Sequence, residues 1–252
     1  MISFANQKGG VGKTTACINL AGALCEKGLR ILLVDMDYQG NLSMGLGVRL
    51  GRDEKGMGEV MLFPDVSLGE VVRESPIPGA DIAPGNFALS KVDINIDRLP
   101  DRHGILSGKL LEAKDNYDFV FMDCPPAFNL LTVNALSAAD GVIIPLQCYP
   151  YSLAGLNTLL SIIDDVRYAY NFDLDVVGIA PTFYDTNTKL SEMVIDELRY
   201  NYPRKVFNTI IKKSVKVAEG PLHQKPMTLY APRHPVTQAY RELAAEFLRR
   251  VS

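Results

Sequence analysis

Short, continuously apolar runs alternate with longer stretches of helical periodicity along most of the chain. The runs at 31–34, 119–122 and 141–146 contain almost no polar residue. Strands of this kind are typical of parallel sheets that are covered by helices on both faces. Between them, apolar residues recur at helical spacing, as they do at 13–27 and 152–168. The pattern therefore predicts an α/β fold with a mostly parallel, twisted sheet flanked by helices on both faces.

The remaining segments fit the same alternation and give no sign of a linker or an internal repeat. A chain of 252 residues with 47 % hydrophobic residues can bury a large core, and we expect one domain that spans residues 1–252. Gly28 is the expected end of the first helix. The predicted strands are 2–5, 30–35, 118–123, 141–146 and 174–181, and the other predicted helices are 103–115 and 187–200.

A glycine-rich loop follows the first predicted strand and leads into the first predicted helix. Backbone N–H groups of Gly9, Gly10 and Gly12 can turn inward around phosphate oxygens, and the helix start adds its positive end. In this motif Lys13 would reach the β- and γ-phosphates and Thr14 would ligate Mg²⁺. A plain glycine turn is the alternative. The Gly-Lys-Thr ending favours a nucleotide site and a P-loop NTPase fold, with expected contacts from Lys8, Gly9, Gly10, Val11, Gly12, Lys13, Thr14 and Thr15.

Carboxylates stand at the ends of two predicted strands. Asp35 and Asp37 follow the second strand, where a carboxylate can orient an attacking water and hold Mg²⁺ through water. Asp123 ends the apolar run at 119–122, which is the Walker B arrangement. An Asp-rich turn would explain the first pair equally well, and an apolar strand ending in Asp is weak evidence alone. Together with the phosphate loop, the position of Asp123 favours a Walker B carboxylate that holds Mg²⁺ through its water shell.

Charge and cysteine content narrow the setting of the protein. Residues 189–252 hold 12 Lys and Arg against 6 Asp and Glu, a net charge of +6. Since the whole chain has a net charge of −3, residues 1–188 have a net charge of −9. The four cysteines form no C-x-x-C pair or metal-ligand spacing, which fits a reduced, cytoplasmic protein. We see no signal-peptide pattern and no run of about 18 apolar residues, so export and membrane spanning are not expected.

Three stretches resemble one known family. Lys-Gly-Gly-Val-Gly-Lys-Thr-Thr at 8–15, Val-Asp-Met-Asp-Tyr-Gln-Gly-Asn at 34–41, and Asp-Cys-Pro-Pro at 123–126 followed by 130–136 look like the ParA/MinD family of deviant Walker ATPases. The resemblance is closer to the short, Soj-like ParA proteins. Gln7 replaces the usual first glycine of the motif, and Lys8 is the extra lysine of this branch.

The resemblance implies roles for individual residues. Lys8, Lys13 and Asp37 would be catalytic, with Lys8 reaching the phosphates of a partner subunit and Asp37 positioning water. Thr14, Asp37 and Asp123 would hold Mg²⁺. Asp35 would support the lysines of the phosphate loop, and the adenine of ATP would lie near Pro181 and Thr182.

The resemblance also implies a function, which is ATP-dependent DNA partition. An ATP-bound homodimer would bind DNA non-specifically through phosphate contacts, and a ParB-like protein would stimulate hydrolysis and release. The protein would be cytoplasmic and associated with the nucleoid. Since the chain begins a few residues before the loop, we expect no preceding DNA-reading domain. The candidate DNA-binding residues are Arg199, Arg204, Lys205, Lys212, Lys213 and Lys216.

Three alternatives remain at this stage. A MinD-like protein would bind a membrane surface through a terminal amphipathic helix, but the apolar positions from Val236 to Val251 lie within the part that resembles ParA and are expected to pack in the core. No stable membrane association is therefore expected. A cargo-positioning relative would use the same chemistry with another partner. An ATP-dependent ligase would need a second substrate pocket, which the sequence does not reveal.

Overall fold

One sheet forms the centre of the protein. The computed structural model describes residues 1–251, and within them seven strands form a sheet of order β3-β4-β2-β5-β1-β6-β7. Every pairing is parallel except that of the edge strand β3 with β4. The strands are β1 Ile2–Phe4, β2 Ile31–Asp35, β3 Arg73–Glu74, β4 Ala80–Ala83, β5 Phe119–Asp123, β6 Gly141–Gln147 and β7 Asp175–Thr182.

Helices cover both faces of this sheet, as the pattern predicts. Within residues 1–251 no helix is both long and apolar enough to cross a membrane. The helices are α1 Lys13–Cys25, α2 Asn41–Gly45, α3 Met57–Leu62, α4 Val92–Ile96, α5 Ile105–Leu110, α6 Leu130–Ala138, α7 Ser152–Ala169, α8 Lys189–Asn201, α9 Val215–Glu219, α10 Met227–Tyr230 and α11 Pro235–Val251.

The apolar strands supply two separate cores because successive side chains point to opposite faces of the sheet. In β2, Leu32 and Val34 join the core beneath α3 to α8, whereas Ile31 and Leu33 join the core beneath α1 and α11. Both cores are fully buried at these positions. The absence of alternation in the strand sequences is therefore explained by burial on both sides.

The last helix packs in the core, as expected. Val236, Tyr240, Leu243 and Phe247 of α11 are buried with the apolar residues of α1. An ion pair between Arg241 and Glu26, with 2.7 Å between Nε and a carboxylate oxygen, joins the two helices at the surface. These apolar side chains are thus already covered by the protein itself.

Some element boundaries differ from the prediction. Helix α1 ends at Cys25 rather than 27, since Gly28 adopts φ 85° and the two residues before it form a turn. The helix expected over 103–115 is limited to Ile105–Leu110 and continues as a 3-10 turn at 111–113. Among the elements without a predicted counterpart are the two-residue strand β3 and the short helices α4, α9 and α10.

Parallel strands place their carboxyl ends at one edge, which is where open α/β sheets bind ligands. Central β1 lies between β5 and β6, and β2 is paired with β5. The register aligns Phe4 with Asp123, and Asp123 with Asp35. The topology therefore brings the glycine loop and the candidate carboxylates to the same edge.

Candidate nucleotide-binding site

The glycine loop is anchored to the sheet before it enters α1. The buried Asn6 side chain donates to the Pro145 carbonyl at 2.8 Å and accepts from the Lys8 N–H at 3.0 Å. Gly10 and Gly12 have φ values of 73° and 92°, which favour glycine. Gly12 is also the residue that precedes the first turn of α1. The loop is thus held open at the positive end of a helix.

The loop forms one wall of a cleft of about 430 Å³ at the carboxyl edge of the sheet. Carboxylate, apolar and basic side chains complete the cleft. The loop contributes Gly9, Gly10, Gly12, Lys13, Thr14 and Thr15, and the other lining residues include Asp37, Asn41, Cys124, Pro126, Thr182, Phe183, Lys212 and Lys213.

Lys13 is the buried cation of the cleft. Its side chain is 7 % exposed, and Nζ lies 3.5 Å from the Lys8 carbonyl oxygen. Burial lowers the pKa of Lys13, while Asp123 and Asp37 oppose this shift by favouring the charged form. A phosphate group beside Nζ would replace the hydration that the ammonium has lost, so this site favours a polyanion.

Thr14 lines the cleft and is hydrogen-bonded to Asp123, and the two side chains form the part of the site that suits a metal ion. The Thr14 hydroxyl donates to Asp123 Oδ2 at 2.6 Å, while Asp123 Oδ1 is buried and, within residues 1–251, has no hydrogen-bond partner. Burial raises the pKa of Asp123 to about 8, and Asp35 adds to the shift. A buried carboxylate oxygen without a partner fits a hydrated divalent cation. The two side chains would hold Mg²⁺, which would neutralise charge on the phosphates.

Asp37 lies at the mouth of the cleft, in the segment that follows β2. It is 6 % exposed, and its Oδ1 accepts from the Gln39 N–H at 3.0 Å. The Gly40 N–H donates to the Asp37 carbonyl at 2.9 Å. These bonds hold the carboxylate in a tight turn and leave its second oxygen for a water molecule or a metal-bound water.

Asp35 has a different place from the one expected. It is fully buried, and its oxygens accept from the Ser43 N–H, the Ser43 hydroxyl and the Asp37 N–H at 2.9, 2.7 and 3.2 Å. It neither lines the cleft nor hydrogen-bonds a loop lysine, among the residues that the structure describes. Burial raises the pKa of Asp35 to about 6 despite these bonds. Asp35 therefore positions the turn that carries Asp37, and Ser43 is its partner.

Lys8 is exposed and directs its side chain out of the cleft. Its Nζ donates to Gln147 Oε1 at 3.4 Å, at the end of the neighbouring strand β6. The two lysines of the loop thus point to different regions: Lys13 lines the cleft that Lys8 does not line.

Only part of the segment that is expected near adenine lines the cleft. The Thr182 hydroxyl donates to the Val11 carbonyl at 2.8 Å, and Thr182 lines the cleft. Pro181 is buried within β7, where its carbonyl accepts from the Ile211 N–H, and it does not line the cleft. Phe183 does line it, with an unusual φ of 52°. Phe183 belongs to the segment 181–185 that resembles the adenine-side loop of the family, but no local sequence signal indicates its backbone conformation.

The six candidate DNA-binding residues are all exposed but do not form one cluster. Lys212 and Lys213 line the nucleotide cleft. Lys216 is paired with Glu219, with 2.8 Å between Nζ and Oε2. The other three lie elsewhere: Arg204 and Lys205 lie near the amino ends of β1, β6 and β7, and Arg199 is on α8.

A phosphate-type loop between β1 and α1, with carboxylates at the ends of β2 and β5, defines the class of P-loop nucleoside triphosphatases. A family model described as an AAA domain matches residues 1–176. The sporulation initiation inhibitor protein Soj of Bacillus subtilis is 38 % identical over 98 % of this chain and 97 % of its own length. The chromosome partitioning protein ParA of Caulobacter vibrioides is 40 % identical over 99 % and 94 %.

A solved structure agrees with these matches. Cobyrinic acid a,c-diamide synthase from Mycobacterium smegmatis, with bound ATP analogue and magnesium, has a TM-score of 0.86 and 33 % identity, and the match covers 98 % of this chain and 93 % of that one. The chain belongs to the ParA/MinD family of deviant Walker ATPases. It is a ParA-type ATPase that uses ATP and Mg²⁺.

The partnerless Asp123 oxygen leads to a stability prediction. We expect Asp123→Asn to stabilise the nucleotide-free and metal-free protein at high pH, where the wild-type carboxyl must either hold a proton or bear a buried charge, whereas the amide stays neutral. The wild-type carboxyl has a pKa of about 8 when folded and about 4 when unfolded. Raising the pH through this window therefore destabilises the wild type, and the gain should be larger at pH 8.5 than at pH 5. Urea unfolding at both pH values measures it; an equal gain at both would contradict the assignment.

Proposed function

We propose that the protein is a DNA-partition ATPase, with residues 1–252 as one ATPase domain. Its ATP-bound homodimer binds DNA non-specifically, and hydrolysis stimulated by a ParB-like partner releases it. The nearly full-length similarity to Soj of B. subtilis and ParA of C. vibrioides carries this proposal. In this role the protein would work in the cytoplasm, on the nucleoid.

The geometry of the cleft supports a division of labour among its residues. The loop amides and Lys13 bind the phosphates, and Thr14 with Asp123 holds Mg²⁺. Asp37 orients the attacking water from its turn beside the cleft. Phosphoryl transfer depends mainly on such positioning and charge stabilisation.

Lys8 completes the site of a second subunit in this proposal. Its exposed ammonium is directed out of its own cleft, toward Gln147. A second copy that meets this face would receive a positive charge beside its γ-phosphate, where negative charge accumulates during hydrolysis. ATP binding and dimer formation would therefore be coupled.

The basic residues beside the cleft are the preferred DNA contacts. Lys212 and Lys213 line the nucleotide cleft, so bound ATP can influence the positions of their side chains. The charge of Lys216 is partly compensated by Glu219. Lys205 lies near the opposite edge of the sheet, away from the nucleotide cleft. The six candidates should thus contribute unequally.

Charge reversal tests this inequality. Lys213→Glu should weaken ATP-dependent binding to DNA of any sequence. It should also reduce the magnitude of the slope of log K against log salt concentration by roughly 1 or more. Lys216→Glu should have a smaller effect, because the wild-type charge is already paired with Glu219. Lys205→Glu is the matched control at the far edge. Gel shifts over a salt series measure all three; equal weakening would contradict the inequality, and wild-type binding by all three would place the DNA contact elsewhere.

An ATP-dependent DNA gel shift of the wild-type protein tests the function as a whole. Binding with ATP that is lost with ADP supports partition, whereas no binding in either state contradicts it. The similarity to the diamide synthase of M. smegmatis supports a second candidate, an ATP-dependent amide ligase. ATP-dependent amidation of cobyrinic acid with a nitrogen donor would identify that activity.

A further inference from the structure

The exit from strand β6 carries two exposed tyrosines beside the phosphate loop. Tyr149 is 48 % exposed and Tyr151 is 81 % exposed, and their ring centroids lie 6.5 Å apart. The Lys8 ammonium lies 5.5 Å from the centroid of the Tyr149 ring, while Tyr151 lines a neighbouring pocket that Lys8 also lines. At this distance a cation is attracted to the face of an aromatic ring.

Two groups therefore hold the Lys8 ammonium. Gln147 Oε1 accepts a hydrogen bond from Nζ at 3.4 Å, and the Tyr149 ring supplies the cation–π contact. Both groups come from the end of β6, which pairs with β1, the strand before the loop. The contacts would keep a long, flexible side chain in one region, whereas an unrestrained lysine samples many rotamers.

The segment that bears these groups is itself well anchored. The Cys148 N–H donates to the Thr182 carbonyl at 2.9 Å, which joins the segment to the end of β7. The Tyr149 carbonyl accepts from the Ser152 N–H at 3.0 Å, at the start of α7. The backbone at Tyr149 is thus held by elements on either side, which fixes the point from which its ring extends.

Negative charge in the cleft explains why Lys8 needs to be held outside it. Asp37 lines the cleft of the same subunit, and its carboxylate, like the phosphates of a bound nucleotide, would attract a nearby ammonium. If Lys8 turned into its own cleft, it would occupy the region of the phosphates and could not reach a partner. Contacts that hold it outside remove this competition.

We propose that Gln147 and Tyr149 are positioning residues for Lys8. They keep its ammonium out of its own cleft and hold it ready for the nucleotide of a second copy of this chain. This inference rests on the proposed function, in which Lys8 acts across the dimer. Neither residue touches the reacting atoms; both act through Lys8.

Fluorescence tests the contact directly, because the sequence contains no tryptophan. Tyr149→Trp introduces a single indole that can keep the cation–π contact. The ligand-free emission of this variant should shift when Lys8→Ala is added, since the ammonium beside the ring is lost. Tyr151→Trp with and without Lys8→Ala is the matched control and should show a smaller shift, because the cation–π contact of Lys8 is with Tyr149. Identical emission of the two Tyr149→Trp proteins would overturn the proposal.

Kinetics tests the consequence. Tyr149→Ala should lower kcat by roughly twofold to fivefold, the range expected for loss of an exposed cation–π contact, and Gln147→Ala, which removes the hydrogen bond to Lys8, should lower kcat in the same direction, with the KM for ATP changed by less than about twofold in both. Tyr149→Phe keeps the ring and should restore turnover, and Tyr151→Ala should match the wild type. Normal turnover in Tyr149→Ala would overturn the inference.

Lys8→Ala, measured in parallel, separates the two levels of the argument. If it lowers turnover while Tyr149→Ala does not, the positioning role fails and the role of Lys8 stands. If Lys8→Ala has wild-type turnover, the proposed action of Lys8 across the dimer itself fails.

Discussion

Lys13→Ala should weaken ATP binding by at least an order of magnitude. The ammonium is buried in the cleft and partly stripped of water, so a phosphate is its natural counter-charge. Loss of one partner of a buried, hydrogen-bonded charge pair costs about 2 to 5 kcal/mol, which is a fall in affinity of roughly thirtyfold to several thousandfold. Isothermal titration calorimetry with Mg²⁺ and ATP measures this change.

The fold should survive this substitution. The ligand-free protein gains little from a desolvated ammonium, and the anchors of the loop at Asn6 and Val11 do not involve Lys13. Lys27→Ala, just beyond the end of the same helix, removes an exposed lysine and is the control that should bind ATP normally. Unchanged affinity in Lys13→Ala would show that the loop is not the phosphate site.

The sequence predicts those parts of the site that depend on local chain geometry. A Gly-Lys-Thr loop between a strand and a helix, and an aspartate ending a buried strand, specify their own surroundings. The alignment of Phe4 with Asp123 follows from neighbouring parallel strands. The resulting hydrogen bond from Thr14 to Asp123 joins two segments that the motifs had already singled out.

Features that depend on distant partners could not be predicted in this way. Asp35 receives its hydrogen bonds from Ser43, whose position is set by the short helix α2. The left-handed backbone of Phe183 arises at the end of β7, where Thr182 is bonded to the phosphate loop. Neither is visible in a pattern of apolar residues, which reports burial but not which polar groups will meet.

The basic C-terminal quarter shows the same limit for electrostatics. Its excess of positive charge is a property of composition, but the effect of each charge depends on its neighbours. Glu219 compensates Lys216, and the Tyr230 hydroxyl, which donates to Glu219 at 2.7 Å, reinforces that pair. Lys213 has no such ion pair among the residues that the structure describes. The contribution of each basic residue to DNA binding must therefore be judged from its own neighbours.

Asp37→Ala should bind ATP and accumulate as a dimer while it hydrolyses ATP slowly. The carboxylate is held beside the cleft by the Gln39 N–H and borders the phosphate loop without belonging to it. Removing a group that orients or activates water typically lowers the rate about 10²- to 10⁴-fold. Phosphate release gives kcat, calorimetry gives the affinity, and sedimentation velocity with ATP measures the dimer.

Asp37→Asn distinguishes chemistry from a change in the turn. The amide oxygen can still accept from Gln39, so the local hydrogen bond of the turn is kept while the negative charge is lost. If the charge is what orients the water, both variants should be slow. If Asp37→Asn turns over normally while Asp37→Ala is slow, Asp37 acts by shaping the turn that Asp35 and Ser43 support. Normal turnover in both would remove Asp37 from the reaction, and the water would then need another carboxylate at this edge.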